Sequence, residues 1–424
     1  MAAPERPTGA ADPTALPRLL QGAPLRSPAD HLRVWGPLPR PRRAQLLAEV
    51  EAAGLTGRGG AGFPLAAKLA AASHGPAGTV VVNATEGEPV SAKDATLLAA
   101  SPHLVLDGAT AAAHATGAAA IVVCLKRSHA ALARQVEEVV GLRRRAGLDP
   151  VRIQVTTAPD RYVAGQETAL VRWLDGGEAR PTTVPPRPTS RGVGRRPTLV
   201  SNAETLAHLA LIARFGAAWF RSLGRPDAPG TTLATLSGDV RVPGVYEVPL
   251  GAPLGELIAA AGGDPAANGG VLVGGYFGAW VGPAAAAAPF CAAGLRPFGA
   301  AVGCGAVAVL PAGVCGLLET ARVLRWLAGE SAGQCGPCVN GLPAMADAFD
   351  AVVAGDPGGA AEAHLVRWAG MVERRGACAL PDGAARLVRS ALQVFAADAE
   401  LHRRRGPCRP APPVLPTPTP GGWR

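Results

Sequence analysis

The spacing of apolar residues changes three times along the chain. Between residues 46 and 225, short β-rich runs alternate with Ala- and Leu-rich stretches of helical spacing. The clearest examples are the runs Thr79–Val82, Ile121–Leu125 and Ile153–Thr157 and the helical stretches Ala95–Leu98 and Ala130–Val140. This alternation is typical of an α/β domain in which helices are layered on a sheet.

Two further units follow this α/β domain. Residues 226–312 contain β-type runs broken by Gly and Pro around one helical patch, Leu254–Ala261, and they predict a small α+β module. From residue 313 to residue 405, apolar residues recur at helical spacing, which predicts a helical bundle. We therefore expect a multidomain protein that combines α/β, α+β and all-α units.

Length and composition refine this organisation. The 424 residues agree with two to three domains of about 150 residues each. The Pro- and Arg-rich residues 1–45 and the Pro-rich tail 406–424 have few apolar stretches, and we expect neither to form a packed core. The uncharged stretch Pro265–Leu295 contains too many Gly and Pro residues for one transmembrane helix, so we predict strands and loops there. The first twenty residues lack the pattern of an export signal, which predicts a cytoplasmic protein.

The charge and the cysteines indicate the classes of partner. The formal charge is +9, but the arginines are scattered and aromatic residues make up only 4% of the chain, so we expect no nucleic-acid partner. The basic surface is interpreted as a solvated face, and it would also suit an acidic electron-transfer partner or an anionic membrane reached through a partner. Without an export signal, the eight cysteines are interpreted as thiols and metal ligands, not as a disulfide framework.

A glycine-rich loop is the first motif with a chemical meaning. The segment Gly57-Arg58-Gly59-Gly60-Ala61-Gly62-Phe63-Pro64 precedes Lys68, one of only three lysines in the chain. Its glycines allow positive φ angles, and a helix that begins near Pro64 would point its positive end at a bound anion. The loop therefore predicts a cradle for a nucleotide phosphate. Its spacing differs from the G-x-G-x-x-G fingerprint, so an ordinary tight loop is the alternative.

Polar segments follow the predicted strands. Asn83-Ala84-Thr85-Glu86-Gly87-Glu88 comes directly after the run Thr79–Val82. Because strand carboxyl ends face the ligand crevice of an open α/β sheet, an Asn there can bond a heterocycle and a Glu a ribose hydroxyl. A solvated turn is the alternative. The segments Tyr162–Leu170 and Ser201–Thr205 identify no ligand by themselves, and each is also consistent with a capped helix start.

Three cysteines form a further motif. Cys335 and Cys338 lie in a Gly/Pro loop between two helical stretches, and Cys378 precedes a third. Thiolates in this arrangement suit a metal or an iron–sulfur cluster. A thioredoxin-like pair is disfavoured, because its C-x-x-C would open a helix after a strand. The remaining cysteines, Cys124, Cys291, Cys304, Cys315 and Cys408, are interpreted as inert buried or tail thiols.

Taken together and in this order, the motifs resemble those of the family of flavin-binding F subunits of respiratory complex I, the NADH-quinone oxidoreductase. The family is also found in NAD-linked hydrogenases and formate dehydrogenases. The resemblance spans about residues 46–400. It implies an FMN-binding α/β domain, a ubiquitin-like β-grasp (SLBB) module and a helical bundle with one [4Fe–4S] cluster. NADH would reduce FMN, and single electrons would leave through the cluster to a ferredoxin-like protein or another subunit.

The resemblance also implies roles for individual residues. The FMN site would contain Gly57, Arg58, Gly59, Gly60, Lys68, Asn83, Glu86, Tyr162, Gly165, Gln166, Glu167 and Asn202. Phe63 and the candidate catalytic residues Glu88 and Glu167 would lie on the NADH side. Cys335, Cys338 and Cys378 would be cluster ligands.

Several positions depart from the family pattern. Ala332 replaces the first cysteine of the cluster loop, and alanine offers no donor atom. We therefore expect a three-iron cluster, a four-iron cluster completed by Cys304, Cys315 or an exogenous ligand, or no cluster. Aromatic residues of the adenine pocket are absent from Leu69–Ala72, and one is replaced by Arg187, which weakens the stacking. Neutral residues replace two family acids, at Thr85 and Gln166, and Ser201 replaces an Asn. The lost negative charge should raise the flavin potential.

Two functions are consistent with this pattern. The first is an FMN-dependent electron-transfer subunit of the NAD(P)H dehydrogenase type, which a nicotinamide or a ferredoxin-type donor would reduce. The second is a non-catalytic scaffold or assembly protein that retains the fold without its electron path. Measured flavin and iron contents distinguish the two. Binding of an extracellular glycan by the SLBB-like module is disfavoured by the missing export signal.

Overall fold

A four-stranded parallel sheet lies at the centre of the first unit. The computed structural model describes residues 16–20 and 24–424. Its first four strands are β1 (Thr79–Ala84), β2 (Ala120–Lys126), β3 (Arg152–Ala158) and β4 (Thr198–Asn202), in the order β3-β2-β1-β4. All neighbours in this sheet are parallel. The valines of β1 are fully buried, as expected for a parallel strand covered on both faces.

Eight helices precede, connect or follow these strands. They are α1 (Pro28–Trp35), α2 (Arg43–Ala53), α3 (Leu65–Ala72), α4 (Lys93–Ala100), α5 (Pro102–Thr116), α6 (Ala130–Arg145), α7 (Glu167–Leu174) and α8 (Ala203–Phe220). Helices α5 and α8 pack closely, and a Cβ atom on Gly108 of α5 would lie 1.7 Å from the carbonyl oxygen of Leu206 in α8. Only glycine allows this approach of the two helices. The predicted α/β layering is confirmed.

The second unit is a five-stranded mixed sheet. A short hairpin of β5 (Gly224–Arg225) and β6 (Ala228–Pro229) leads into β7 (Thr231–Gly238), β8 (Gly244–Pro249), β9 (Asn268–Val273), β10 (Ala279–Val281) and β11 (Ala306–Pro311). The strand order is β10-β9-β11-β7-β8, and only the β11–β7 pair of this sheet is parallel. Helix α9 (Leu254–Ala260) and the short α10 (Ala292–Leu295) complete the unit. The stretch Pro265–Leu295 thus contains strands, loops, a 3-10 turn (Pro283–Ala285) and one short α-helix. Across the described residues, we find no helix with the length and hydropathy needed to cross a membrane.

A helical bundle forms the third unit. It contains α11 (Gly316–Gly329), α12 (Leu342–Val353), α13 (Ala360–Val372), α14 (Leu380–Val394) and α15 (Ala396–Arg405), and a π-helical turn, Pro337–Gly341, precedes α12. Trp280 of β10 donates its indole N–H to Thr320 Oγ1 in α11 at 2.9 Å, and its backbone N–H to Ser390 Oγ in α14 at 3.0 Å. The bundle therefore shares one packed core with the mixed sheet.

Both terminal segments pack against these units, contrary to the expectation from their composition. In the described part of the first segment, Leu19 and Trp35 are buried in the same core as the parallel sheet. At the other end, Leu415 is buried in the core of the bundle, and the guanidinium carbon of Arg161 lies 4.2 Å from the ring centroid of Trp423. Single apolar side chains between prolines produce no periodic pattern, but a surface that has already formed can bury them one at a time.

Candidate functional site

The glycine-rich loop connects an isolated β-bridge to α3. Thr56 pairs with Pro64, and the backbone N–H of Gly57 donates to the carbonyl of Phe63 at 2.9 Å. Residues 59–62 are exposed, and Gly60 and Gly62 have φ angles of +115° and +62°. Within the described parts of the chain, the backbone N–H groups of residues 59–62 donate no hydrogen bond. The loop therefore presents free donors next to the start of α3, as a phosphate cradle requires.

The carboxyl ends of β1 and β4 bring two predicted ligands together. Asn83 and Asn202 are register partners, and the Asn202 amide donates to the carbonyl of Asn83 at 3.4 Å. A Cβ atom on Gly59 would lie 3.3 Å from the Cβ of Asn202, so the glycine loop passes directly over these strand ends. The strand order also reverses between β1 and β4. Ligands of open α/β sheets bind in the crevice at such a switch point.

A buried ionic network lies beneath the strand ends. The Lys93 ammonium is 2% exposed and lies 2.7 Å from Asp94 Oδ1 and 2.9 Å from Glu204 Oε2. It also donates to Asn202 Oδ1 at 3.0 Å. Burial favours a higher pKa for Glu204, but Lys93 and His208 outweigh burial and hold this pKa at about 2. Neither Lys93 nor Glu204 was among the site residues predicted from the sequence, and the signals for Lys93 were the rarity of lysine and its position shortly after the segment Asn83–Glu88.

The Arg58 side chain forms hydrogen bonds inside the protein. Its guanidinium donates to Thr56 Oγ1 at 2.8 Å and to the carbonyl of Thr231 at 3.2 Å, and it lies 4.0 Å from Glu204. Its backbone N–H donates to Thr205 Oγ1 at 2.9 Å. These bonds connect the glycine loop to α8 and β7. The expected cofactor role of Arg58 stays a prediction, and its guanidinium already has protein partners.

Three of the predicted site residues cap helices. The Glu86 carboxylate accepts the first backbone N–H groups of α4 at 2.9 and 3.0 Å. Gln166 Oε1 accepts two N–H groups at the start of α7 at 2.9 and 3.0 Å, and Asn202 Oδ1 accepts one at the start of α8 at 3.1 Å. The capped helix start considered for the last two segments is therefore present. The cofactor contacts of these residues stay predictions.

Glu88 lies between the parallel-sheet unit and the mixed-sheet unit. Its Oε2 accepts from the Tyr162 hydroxyl at 2.7 Å and from the backbone N–H of Tyr276 at 2.8 Å. Its Oε1 is shielded from solvent and has no hydrogen-bond partner in the described chain. Burial raises the pKa of Glu88 to about 7, although both tyrosine contacts oppose the shift. Burial and Glu88 also raise the pKa of the neighbouring Cys304 thiol. A carboxyl group of this kind can hold or release a proton near neutral pH.

Phe63 and Glu167, the other residues predicted to lie on the NADH side, are both at least partly exposed to solvent. Lys68 Nζ lies 2.9 Å from Glu167 Oε2 in a partly exposed ion pair, and Phe63 is 51% exposed. The Asn83 amide donates to the carbonyl of Gly165 at 2.7 Å. A Cβ atom on Gly165 would lie 2.1 Å from Thr85 Oγ1, so a larger residue would force the Thr85 side chain to move.

Cys335, Cys338 and Cys378 come together between the π-helical turn and the start of α14. The backbone N–H of Cys338 donates to the carbonyl of Cys335 at 3.0 Å, and Cys338 is 3% exposed. Burial raises the pKa of Cys338, and the two nearby thiols raise it further. Ala332 is also buried, and its carbonyl accepts from Arg180 at 2.7 Å. The residues present therefore offer three thiol ligands.

The structure gives other neighbours to both cysteines considered as a fourth ligand. Cys304 Sγ donates to the carbonyl of Gly274 at 3.4 Å, close to Glu88. Cys315 Sγ lies 3.5 Å from His402 Nε2. A cavity of about 440 Å³ opens beside Cys335, and it is lined by Pro181, Thr182, Thr183, Gln334, Cys335, Arg375, Gly376 and Ala377. An exogenous ligand would have space there.

Known proteins with similar sequences agree with this arrangement. Residues 50–211 match the Nuo51 FMN-binding domain, residues 233–270 the SLBB domain, and residues 319–402 the iron-sulfur binding region of NADH-ubiquinone oxidoreductase-F. The F 2 subunit of NADH-quinone oxidoreductase from Rhizobium meliloti is 31% identical over 386 residues, which cover 86% of this chain and 90% of the relative. This chain belongs to the family of NADH-quinone oxidoreductase F subunits.

Further relatives show the same extent of similarity. The F subunit of NADH-quinone oxidoreductase from Streptomyces coelicolor is 32% identical over 383 residues, 84% of this chain and 82% of the relative. The structure of an NAD+-reducing [NiFe]-hydrogenase in the air-oxidized state superposes with a TM-score of 0.79 at 32% identity and covers 88% of this chain. This chain spans 65% of that hydrogenase chain. The predicted FMN and iron–sulfur cofactors, with NADH as substrate, are confirmed for the family, whereas the roles of single residues stay predictions.

Proposed function

We propose that this member of the family oxidises NADH with bound FMN and passes the electrons through an altered iron–sulfur site to a protein partner. One observation carries the proposal: the free N–H groups of residues 59–62, the Asn83–Asn202 pair and Glu88 all lie around the sheet edge at a strand-order reversal. When bound, FMN supplies the chemistry that links two-electron transfer from NADH to one-electron steps.

The residues of the chain would bind and orient the nucleotides. The free N–H groups of the loop would donate to a phosphate, and the Lys68 ammonium would add a positive charge nearby. Asn83 and Asn202 would face the ring from the strand ends, where bonds to Gly165, Lys93 and Asp94 already hold their side chains in place. Phe63 has an exposed ring that would pack against the nicotinamide. Glu88 would hold a proton close to the site, because its buried carboxyl has a pKa of about 7.

The adenine side of the pocket supports a weakened nucleotide site. Leu69 of α3 faces the core, and the exposed neighbours Ala70 and Ala71 offer only methyl groups for packing. Arg187 is exposed, and its guanidinium is free to stack on a purine. Each lost aromatic pair removes about 0.5–1.5 kcal/mol beyond burial. We therefore expect NADH to bind less tightly here than in relatives that retain the aromatic residues.

The cluster site supports a centre with three protein ligands. Cys335, Cys338 and Cys378 would hold the iron, and Ala332 leaves one position without a protein donor. The cavity beside Cys335 would admit an exogenous ligand. The relatives are named as subunits, which supports a protein partner for this chain. We also propose a cytoplasmic location. For the mixed sheet around α9 we propose a β-grasp classification.

An anaerobic NADH titration of the purified protein tests this proposal, with flavin and iron measured on the same sample. Stoichiometric bleaching of the flavin by NADH is the expected result. Flavin that dithionite reduces and NADH does not would instead indicate a relay reduced by another protein. A protein that retains neither flavin nor iron after anaerobic preparation would overturn the proposal in favour of the scaffold.

A further inference from the structure

A second group of metal-binding side chains lies away from the proposed cofactor sites. Cys315 precedes α11, His402 lies in the last turn of α15, and Cys408 follows the end of α15. The two Sγ atoms and a ring nitrogen of His402 all lie within 4.8 Å of one another. Cys315 and His402 are buried, and Cys408 is half-buried. The sequence predicts an inert tail thiol at Cys408 and, at Cys315, an inert thiol or a fourth cluster ligand, and the structure places both sulfurs against one histidine.

The distances match those of a single tetrahedral metal ion. His402 Nε2 lies 3.5 Å from Cys315 Sγ and 3.1 Å from Cys408 Sγ. With Zn–S bonds of about 2.3 Å and Zn–N bonds of about 2.0–2.1 Å, a tetrahedral ion separates a sulfur from a nitrogen ligand by about 3.5 Å. Small side-chain movements would therefore be enough to coordinate one ion.

The histidine is already oriented as a ligand. Its Nδ1 lies 2.8 Å from the carbonyl oxygen of Val353, an acceptor, so Nδ1 carries the proton. Its Nε2 accepts the backbone N–H of Cys408 at 3.2 Å and therefore carries the lone pair of the ring. A bound ion would take over this lone pair, so the hydrogen bond from the Cys408 N–H would break and that N–H would turn to another acceptor. A ring N–H held by a backbone carbonyl is the usual way in which proteins fix the tautomer and orientation of a metal-binding histidine.

We propose that Cys315, His402 and Cys408 bind a zinc ion through two thiolates and one imidazole, with water at the fourth position. Two thiolates and a neutral imidazole suit Zn²⁺ by charge and by ligand type. On binding, each thiol releases one proton to solvent, and no electron is transferred. Because the site lies between the bundle and the start of the tail, we assign the ion a structural role.

The ion would fix the carboxyl-terminal strap, residues 406–424. Beyond Cys408, the backbone N–H of Leu415 donates to Glu319 Oε2 at 3.1 Å. Near the end of the strap, Ala179 donates its backbone N–H to the carbonyl of Trp423 at 3.1 Å. The strap therefore runs from the bundle to the parallel-sheet unit. A metal at its start would reduce the conformational freedom that the strap must lose to bind this surface.

Metal analysis of the full-length protein tests the proposal. The variant Cys408→Ser removes one thiolate from a half-buried tail position, and Cys291→Ser is the matched control at a buried cysteine of another unit. A Cys335→Ser/Cys338→Ser variant removes zinc that occupies the iron–sulfur site adventitiously. We expect one tightly bound zinc per chain in the wild type, in Cys291→Ser and in the double variant, and loss of that zinc in Cys408→Ser.

Cobalt substitution in the double-variant background supplies a second readout. Tetrahedral Co²⁺ with thiolate ligands should produce sulfur-to-metal and d–d absorption bands, and Cys408→Ser should remove the sulfur-dependent band while circular dichroism stays unchanged. Absence of zinc, or zinc that Cys408→Ser leaves in place, would overturn the proposal. A Cys315–Cys408 disulfide in the protein as isolated, seen as a two-proton mass difference, would also overturn it.

Discussion

The strand-end site and the three-cysteine site differ in how they are held in place. At the strand ends, Lys93, Asp94, Glu204 and Asn202 bond to one another, so the polar groups are ordered by the protein itself. At the second site, burial and mutual repulsion raise the pKa of Cys338. A bound metal would remove that repulsion by withdrawing charge from the thiolates. The first site is therefore preorganised by the protein, and at the second we expect a bound metal to add order.

This difference also indicates which site tolerates substitution. Removing one member of a buried ion pair leaves an unpaired charge in a medium that solvates it poorly. Alanine at position 332 leaves only a buried methyl group, which carries no such penalty. We therefore expect position 332 to tolerate substitution without loss of the fold, and the network around Lys93 not to tolerate loss of its ammonium.

The largest predicted effect comes from breaking the ionic network. Lys93→Met should lower the free energy of unfolding by about 3–5 kcal/mol, because Asp94 and Glu204 would stay buried without their common partner. Urea denaturation measures the change. Arg325→Ala is the control, since it breaks exposed ion pairs with Asp347 and Asp350 and should change stability by less than about 1 kcal/mol. Equal losses of unfolding free energy in the two variants would contradict the proposed difference between the buried network and the exposed ion pairs.

Glu88 is the exception within the preorganised region, and its pKa predicts a pH dependence. Its pKa is about 7 in the folded protein against an ordinary value of 4.5, so between these values the folded state keeps a proton that the unfolded state has released. The contribution of Glu88 to stability should therefore fall by up to about 3 kcal/mol as the pH rises from about 4.5 through 7.

The variant Glu88→Gln isolates this contribution, because glutamine is neutral at every pH. Unfolding free energies measured at several pH values should decrease less steeply between about pH 5 and pH 8 in the variant than in the wild type. Identical slopes would show that Glu88 does not titrate in this range.

Introducing a thiol at position 332 should change the proposed metal site and leave the fold intact. Ala332→Cys adds a donor at the position where the resemblance to the family implies a first cluster cysteine. We expect more iron per chain after anaerobic reconstitution, and a cluster that survives air for longer. Cys378→Ser is the opposite change, and it should lower the iron content while flavin content stays the same. If neither substitution changes the iron content per chain, the cluster lies elsewhere.

The smallest predicted effect concerns the exposed ion pair beside the glycine loop. Lys68→Met should change the free energy of unfolding by less than about 1 kcal/mol, because its partner Glu167 is partly solvated. It should nevertheless weaken retention of FMN, since a positive charge near the phosphate is lost. Arg134→Met removes an equal charge from an exposed position of α6 and is the control for net charge. Equal flavin loss in both variants would contradict a local role for Lys68.

Local patterns were sufficient to predict much of the site. The run Thr79–Val82 predicted β1, and the glycine loop predicted the positive φ angles of Gly60 and Gly62. The pairing of Asn83 with Asn202 came from the fold, because the sequence predicted no strand that ends at Asn202. Local patterns failed at the Pro-rich termini, where Leu19 and Leu415 are buried singly. They also gave no indication that the Arg58 side chain bonds to Thr231 in another unit.

The amino-acid sequence by itself determined the three kinds of unit and the family, and it predicted the glycine cradle and the three cluster cysteines. Each of these depends on residues that are close together in the chain or on a repeated spacing. Only the tertiary structure decided that Lys93 pairs with Glu204, that Glu88 is buried against two tyrosines, and that Cys315 meets His402 and Cys408. These contacts join positions far apart along the chain. They leave no periodic signal, because they arise only when separate helices and strands have packed.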